Sequence, residues 1–178
     1  MTSKPPPILS VRPATRGDVP LILALIRELA DYERAPQDAR ATADDLDRNL
    51  FGQGYGRGPV AECLIGLIDN QPQGFALFFS NFSTWVGRSG IYLEDLFVRP
   101  AARGSGLGKA LLREVARIAV ARNCGRMEWS VLDWNTPAIG FYKSLGAIAM
   151  DEWTTWRVDS EGIEKLASAP SGAPPSRR

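Results

Sequence analysis

A glycine-rich segment of six residues, Arg103–Gly108 (RGSGLG), is the strongest indication of chemistry in the sequence. It lies between a predicted strand and a predicted amphipathic helix. Its successive backbone N–H groups would therefore gather at a helix start, with few Cβ atoms in the way. Such a group of N–H donors binds phosphate oxygens. The segment predicts a phosphate-binding loop, and a glycine-rich turn without a ligand is the alternative.

Three phosphate-binding patterns can be compared with this loop. The Walker A pattern GxxxxGK(S/T) does not fit, because Gly104 to Lys109 is one residue short and Ala110 replaces the hydroxyl residue. The dinucleotide pattern GxGxxG needs other glycine spacings and a βαβ order around them. The segment fully matches the third pattern, R/Q-x-x-G-x-G/A, which is the pyrophosphate loop of the GNAT acetyltransferases.

Composition excludes several other kinds of chemistry. The 178 residues include no histidine, which excludes Ser-His-Asp hydrolysis, Cys-His proteolysis and HExxH zinc sites. Cys63 and Cys124 form no CxxC pair, so we expect no metal site. A net charge of +1 gives no reason to expect a nucleic acid partner. No apolar run approaches the roughly 20 residues of a membrane span, and the N-terminus is no secretory signal. We therefore expect no membrane partner and a cytoplasmic location.

Hydrophobic periodicity and turn residues predict the elements that position the loop. An antiparallel meander of strands at 59–68, 74–83 and 90–98 precedes it, and a helix over 106–122, ended by Gly125, follows it. The other predicted elements are a strand at 8–13, helices beginning near residue 19 and covering 42–50, a strand at 126–134, a helix over 137–145 capped by Thr136, a strand or hairpin at 147–158, and a helix at 160–167. This order predicts an α+β fold with a mostly antiparallel central sheet. We expect a single domain over 8–167 between disordered tails at 1–7 and 168–178.

Motifs on both sides of the loop extend the resemblance. They are Arg12–Thr15 (RPAT), Ile26–Glu33 (IRELADYE), Tyr92–Val98 (YLEDLFV), Asp133–Asn135 (DWN) and Phe141–Ala147 (FYKSLGA). In this order and spacing, over about residues 10–158, the chain resembles the diamine (spermidine/spermine) acetyltransferase-like family of GNAT enzymes. The resemblance implies an α/β/α GNAT fold with a splayed strand pair and helices on both faces of the sheet. It also implies acetyl transfer from acetyl-CoA to a primary amine, and a homodimer.

The resemblance carries particular roles onto matching residues. Tyr142 would protonate the leaving thiolate, and Glu94 would face the amine. Residues assigned to acetyl-CoA are Leu96, Phe97, Val98, Arg103, Gly104, Ser105, Gly106, Leu107, Gly108, Lys109, Asn135, Thr136, Pro137 and Ala138. Residues assigned to the amine are Tyr32, Glu33, Trp85, Glu94, Asp95, Glu128, Trp129, Ser130 and Trp156.

Acetyl transfer to an amine requires few acid–base groups. An alkylamine has a pKa near 10.4, so only about one molecule in a thousand is neutral near pH 7.5, and a base or proton path must help. Adjacent residues of a strand point to opposite faces, so either Glu94 or Asp95 can face the cleft. We assign Glu94 to the cleft, with a cross-strand ion pair as the alternative. For Tyr142 the alternative is packing in the core with a bonded hydroxyl.

The acceptor amine is predicted from departures from the family. Polyamine-selective members carry acids two residues before the tryptophans that match Trp85 and Trp156, where this chain has Ser83 and Thr154. The segment Ser83–Trp85 and the sequence VLDWN at 131–135 resemble the thialysine acetyltransferase branch instead. We therefore expect thialysine, lysine-like amines and short diamines to be better acceptors than spermine, within a class of small amines that includes polyamines. A peptide or drug amine, or a non-catalytic acyl-CoA-binding module, is the alternative.

Overall fold

Five strands form one sheet in the computed structural model, which describes residues 6–54 and 58–168. The strands are β1 (Leu9–Pro13), β2 (Glu62–Ile68), β3 (Gln71–Ser83), β4 (Arg88–Val98) and β5 (Met127–Glu128). They lie in sequence order across the sheet. The first three pairings are antiparallel and the last, β4 with β5, is parallel. The predicted meander and the mostly antiparallel sheet are confirmed.

Five α-helices accompany the sheet in the part of the chain that the structure describes. They are α1 (Val19–Tyr32), α2 (Ala43–Leu46), α3 (Leu107–Ala121), α4 (Thr136–Ser144) and α5 (Ser160–Ser168). We expected one α-helix over 42–50. Instead, α2 forms a single turn, and a turn of the wider π-helix follows it over Asp47–Phe51.

Helices cover both faces of the sheet. On one face, Ile22 and Leu25 of α1 pack in a buried cluster with Ile65 of β2 and Phe75 of β3. On the other face, a Cβ atom on Gly66 would meet the side chains of Leu107 and Leu111 at 3.1 Å. Because neighbouring residues of a strand face opposite sides, Ile65 and Gly66 mark the two layers. Gly66 lets α3 approach the sheet closely.

The parallel pairing of β4 with β5 is very short. It joins Ile91 to Met127 and Tyr92 to Glu128, whereas β4 pairs with β3 along its whole length, down to Val98 opposite Gly74. The two strands therefore part beyond Tyr92, as the predicted splay requires. The expected strand over 126–134 is wrong in its length, because only Met127–Glu128 keep strand geometry.

Three further predictions about elements are wrong. Residues 147–158 contain no strand in the structure. Helix α3 ends through Asn123, whose φ of 54° takes the left-handed role we gave to Gly125. Asn135, rather than Thr136, caps α4, since its side-chain oxygen accepts a hydrogen bond from the Ala138 N–H at 3.3 Å.

The chain divides into two compact units along its sequence, residues 1–130 and 131–178. The first holds the sheet with α1, α2 and α3, and the second holds α4 and α5. The predicted single domain over 8–167 stays a prediction. Ser168 belongs to α5 rather than to a tail, and most of both predicted tails, at 1–5 and 169–178, lies outside the described residues.

Candidate active site

The glycine-rich loop has the backbone that the sequence predicts. Gly104 and Gly106 have φ angles of 78° and 93°, which residues with a Cβ atom rarely adopt. The Ser105 hydroxyl donates to the carbonyl of Ala102 at 2.7 Å and accepts from the N–H of Leu107 at 3.3 Å. This hydroxyl therefore fixes the loop against the start of α3.

The loop opens onto the N-terminus of α3. This helix of 15 residues begins at Leu107, directly after Gly106. The first N–H groups of a helix have no partner within it, and the aligned peptide dipoles make that end positive. Lys109 is exposed in the first turn and adds a positive charge. Backbone donors, missing Cβ atoms and a cation together suit a pyrophosphate.

Strand β4, which leads into the loop, is interrupted by a bulge. Opposite β3, Leu77 pairs with Asp95 and Phe78 pairs with Leu93, so Glu94 is the extra residue. A bulge bends its strand and redirects side chains. Glu94 is exposed and Asp95 is partly buried. Beyond the bulge, Leu96, Phe97 and Val98 run along the side of β4 that has separated from β5.

Two acidic side chains act on a third, Asp95, at this end of the sheet. Burial, followed by the charges of Glu94 and Glu33, raises the pKa of Asp95 to about 7. Burial also raises the pKa of Glu33, which directly follows α1. Glu33, Glu94 and Asp95 are hereafter called the acidic cluster. It is a partly dehydrated region of negative potential, which favours a cation.

Tyr32, next to Glu33, lies beside the glycine-rich loop. The guanidinium carbon of Arg103 is 4.2 Å from the centre of the Tyr32 ring and 6.0 Å from that of Phe97. The Nε–H of Arg103 donates to the carbonyl of Val98 at 3.1 Å. The side chain of Arg103 is thus directed toward the end of α1.

The predicted amine-site residues near β5 lie in a separate polar network. The Glu128 carboxylate accepts from the Asn81 amide at 2.9 Å and pairs with the Arg126 guanidinium at 2.8 Å. The hydroxyls of Ser130 and Tyr92 are 2.9 Å apart. Trp129, which lies between Glu128 and Ser130 in sequence, is partly buried. The positive charge of Arg126 offsets the negative charge of the Glu128 carboxylate. Glu128 would therefore attract a substrate cation less strongly than the acidic cluster does.

The two tryptophans predicted to line the amine site are exposed. Trp85 lies in the turn between β3 and β4, and Trp156 lies in the irregular segment after α4; each is 89% exposed.

The second unit carries the other predicted residues. Asn135 is buried, and with Thr136, Pro137 and Ala138 it forms the start of α4. Tyr142 lies in the last turns of α4, partly buried, with its ring centre 5.3 Å from that of Phe141.

Sequence reasoning missed the bulge at Glu94 and the partners Asn81 and Arg126. The adjacent pair Glu94–Asp95 in an otherwise apolar strand was the available signal for an irregularity there. No sequence pattern indicates the pairing of Glu128 with Asn81 and Arg126, since those residues are distant in sequence or unremarkable in type. Among the described residues, no helix is both long and apolar enough to cross a membrane, and no group of potential ligands could hold a metal ion.

Comparisons with known proteins agree with this geometry. Residues 23–147 match the model of the acetyltransferase (GNAT) family. The chain is 37% identical to a thialysine N-epsilon-acetyltransferase from Bos taurus, over 88% of this chain and 96% of that protein. It is 29% identical to an L-ornithine N5-acetyltransferase from Arabidopsis thaliana, over 88% and 86% of the two chains. An integron cassette protein from Vibrio cholerae superposes with a TM-score of 0.73 and 28% identity, over 90% of this chain and 98% of that one. The chain therefore belongs to the GNAT acetyltransferase family and is an N-acetyltransferase.

Proposed function

We propose that this N-acetyltransferase moves the acetyl group of acetyl-CoA to a primary amine of a small molecule. The observation that carries the proposal is the acidic cluster at the bulge of β4, a few residues before the glycine-rich loop. A cation-binding region and a phosphate-binding region then follow each other along one strand and its loop. This is the arrangement that an ammonium substrate and a pyrophosphate-bearing acyl donor require.

The donor would be held by backbone groups. Arg103–Lys109 and the N-terminus of α3 would bind its pyrophosphate, because Gly104 and Gly106 present N–H groups in conformations that other residues avoid. Leu96, Phe97 and Val98 would bind the pantetheine amides along the free side of β4. Asn135 and the start of α4 are assigned to the same ligand by the family resemblance.

The acceptor must lose a proton before it attacks. Glu94 is exposed at the bulge and next to Asp95, so we assign it to accept that proton, directly or through water. The amine nitrogen then forms a bond to the thioester carbonyl carbon, and the bond from that carbon to sulfur breaks. By the family resemblance, Tyr142 would donate its hydroxyl proton to the departing thiolate. The nitrogen loses its second proton as the amide forms, and that proton, passed through water, would restore the Tyr142 hydroxyl. The products are the amide and free CoA.

The thialysine and ornithine acetyltransferases among the relatives support a short acceptor with a carboxylate of its own. Thialysine and ornithine, which the relatives' names give as substrates, are amino acids with one side-chain amine. Ser83 is 3% exposed and its hydroxyl accepts from the Val86 N–H at 3.2 Å, so it shapes the turn and offers no charge to a polyamine. Arg88, which begins β4, is exposed and available to a carboxylate. The homodimer and the cytoplasmic location stay predictions.

A second candidate, an acyl-CoA-binding module without activity, would keep the loop but would have no use for the acidic cluster. Release of free thiol from acetyl-CoA with a panel of amines separates the two candidates. Turnover with small amines supports the enzyme, whereas acetyl-CoA binding without turnover supports the module.

Gly106→Ala should weaken acetyl-CoA binding by roughly tenfold or more, because the φ of 93° strains any residue with a Cβ atom and the N–H groups of the loop would turn away. Isothermal titration calorimetry measures the effect. Gly87→Ala is the matched control, since Gly87 also has a positive φ, of 67°, with no atom within 4 Å of the added Cβ, but lies at the β3–β4 turn. Equal affinities of the two variants would place the pyrophosphate elsewhere.

Tyr142→Phe should lower kcat by roughly 100- to 10,000-fold, the usual span for the loss of a general acid. The dissociation constant of acetyl-CoA should change little, because the ring that packs beside Phe141 remains. Steady-state kinetics and calorimetry on the same preparation test both expectations. A kcat within a few-fold of that of the unaltered protein would mean that another group or water protonates the thiolate.

Asp95→Asn should alter the pH dependence of kcat/KM. The raised pKa means that the Asp95 carboxyl is neutral below about pH 7 and charged above it. Only the charged form attracts an ammonium, so the ratio of kcat/KM between the unaltered protein and the variant should rise with pH and level off above about 7. This ratio cancels the ionisation of the amine itself.

Glu33→Gln provides the control for that profile. Removing the negative charge of Glu33 should lower the pKa of Asp95. In the Glu33→Gln background, the kcat/KM ratio between the proteins with and without the Asp95 carboxylate should therefore rise at lower pH. A ratio that does not change with pH would show that Asp95 does not contact the amine.

In a side-by-side assay, thialysine and L-ornithine should have kcat/KM values roughly tenfold or more above that of spermine. The distal ammoniums of spermine lack the two acids that Ser83 and Thr154 replace. Thr154→Asp should raise kcat/KM for spermine about two- to fivefold, the worth of one exposed ion pair, and leave L-ornithine largely unaffected. Spermine as the best substrate would contradict the assignment and would mean that other acids bind its distal charges.

A further inference from the structure

The position of the Arg103 side chain indicates a role different from that of the other residues of the glycine-rich loop. Its guanidinium lies over the ring of Tyr32, 4.2 Å from the ring centre, and near that of Phe97. Its Nε–H is occupied by the carbonyl of Val98. A side chain that stacks on one aromatic ring and donates to the end of β4 has its orientation fixed by those groups.

Tyr32 connects this contact to the acceptor side. It is the last residue of α1, and Glu33 of the acidic cluster follows it directly. The charge of Glu33 acts on Asp95, so the end of α1 and the bulge of β4 contribute to one electrostatic region. Because Tyr32 and Glu33 are adjacent, a contact that holds Tyr32 also constrains where Glu33 can lie relative to Glu94 and Asp95.

We propose that Arg103 is a positioning residue that links the pyrophosphate loop to the amine-binding end of α1, through its stacking on Tyr32. The proposal rests on the proposed function, because it assigns the acidic cluster to the amine. The backbone of Arg103 belongs to the donor loop while its side chain holds the acceptor side.

The alternative is that the Arg103 side chain contacts the pyrophosphate directly. The two roles make opposite predictions about which ligand loses affinity. A phosphate contact affects the KM and dissociation constant of acetyl-CoA. A positioning contact to Tyr32 affects the KM of the amine.

A double-mutant cycle on Arg103→Leu and Tyr32→Leu distinguishes them. Each single substitution should raise the amine KM about two- to fivefold, the size of one exposed cation–π contact. The double variant should be no worse than either single variant, because both remove the same contact. Arg103→Leu in a Tyr32→Phe background should again cost about two- to fivefold, since phenylalanine keeps the aromatic face. Arg113→Leu, which removes an exposed arginine of α3, is the control for the loss of surface charge.

The amine assay and calorimetry with CoA are run on the same proteins. Non-additive amine KM values, with the CoA dissociation constant of Tyr32→Leu within about twofold of that of the unaltered protein, support the proposal. Additive effects, or a loss confined to CoA affinity in Arg103→Leu, overturn it and leave the proposed function intact. An unaltered protein that acetylates none of the amines overturns the proposed function, and this role with it.

Discussion

The unequal pairing of the two sides of β4 is the constraint on which the rest of the candidate site depends. On one side β4 is held by β3 along its whole length, so it cannot shift along its axis without disrupting the core around Phe75 and Phe97. On the other side it pairs with β5 only at Ile91 and Tyr92. The C-terminal half of β4 is therefore rigid and yet keeps backbone groups available, which a purely paired strand does not. The bulge at Glu94 lies where this free side begins.

Placing the carboxylates of the acidic cluster near one another has an energetic cost, which accounts in part for the raised pKa of Asp95. Asp95 and Glu33 are partly removed from water, and the charges of Glu33 and of the exposed Glu94 both act on Asp95, so protonation of one carboxylate relieves the repulsion. Asp95 is that group, because burial contributes more to its raised pKa than either neighbour's charge. Two other acids of the first unit, Glu28 and Asp18, are paired with arginines. Glu28 accepts three hydrogen bonds from Arg99, at 2.7, 2.8 and 3.2 Å, and the Asp18 carboxylate accepts two from Arg12, at 2.7 and 2.8 Å. Acids whose charge is left for a ligand thus differ visibly from acids that stabilise the fold.

Sequence reasoning predicted features that depend on local residue types, and it was wrong where distant contacts decide. The glycines of Arg103–Gly108 and the apolar pattern of α3 determine the loop and the helix locally, so both were predictable. The bulge at Glu94 was not, because a bulge is defined by register against β3. The short β5 was not either: residues after Glu128 are apolar enough for a strand, but β4 pairs with only two residues there. At helix ends, Asn123 and Asn135 took roles that we gave to Gly125 and Thr136, since several nearby residues can cap a helix and propensity alone does not choose among them.

Proton linkage connects the acidic cluster to the acceptor's charge. At a pH near the raised pKa of Asp95, the free protein holds this carboxyl partly protonated, and an arriving ammonium favours its ionised form. On the proposed assignment of the acidic cluster to the amine, binding an ammonium would release a fraction of a proton, and the site would become more negative only when a cation is present to balance it. A neutral amine would gain nothing from this adjustment, so the cluster would select the charged form, which is abundant. Deprotonation would then fall to Glu94, which is exposed at the bulge while Asp95 is not. The bulge would thus separate attraction of the cation from removal of its proton, between adjacent residues of one strand.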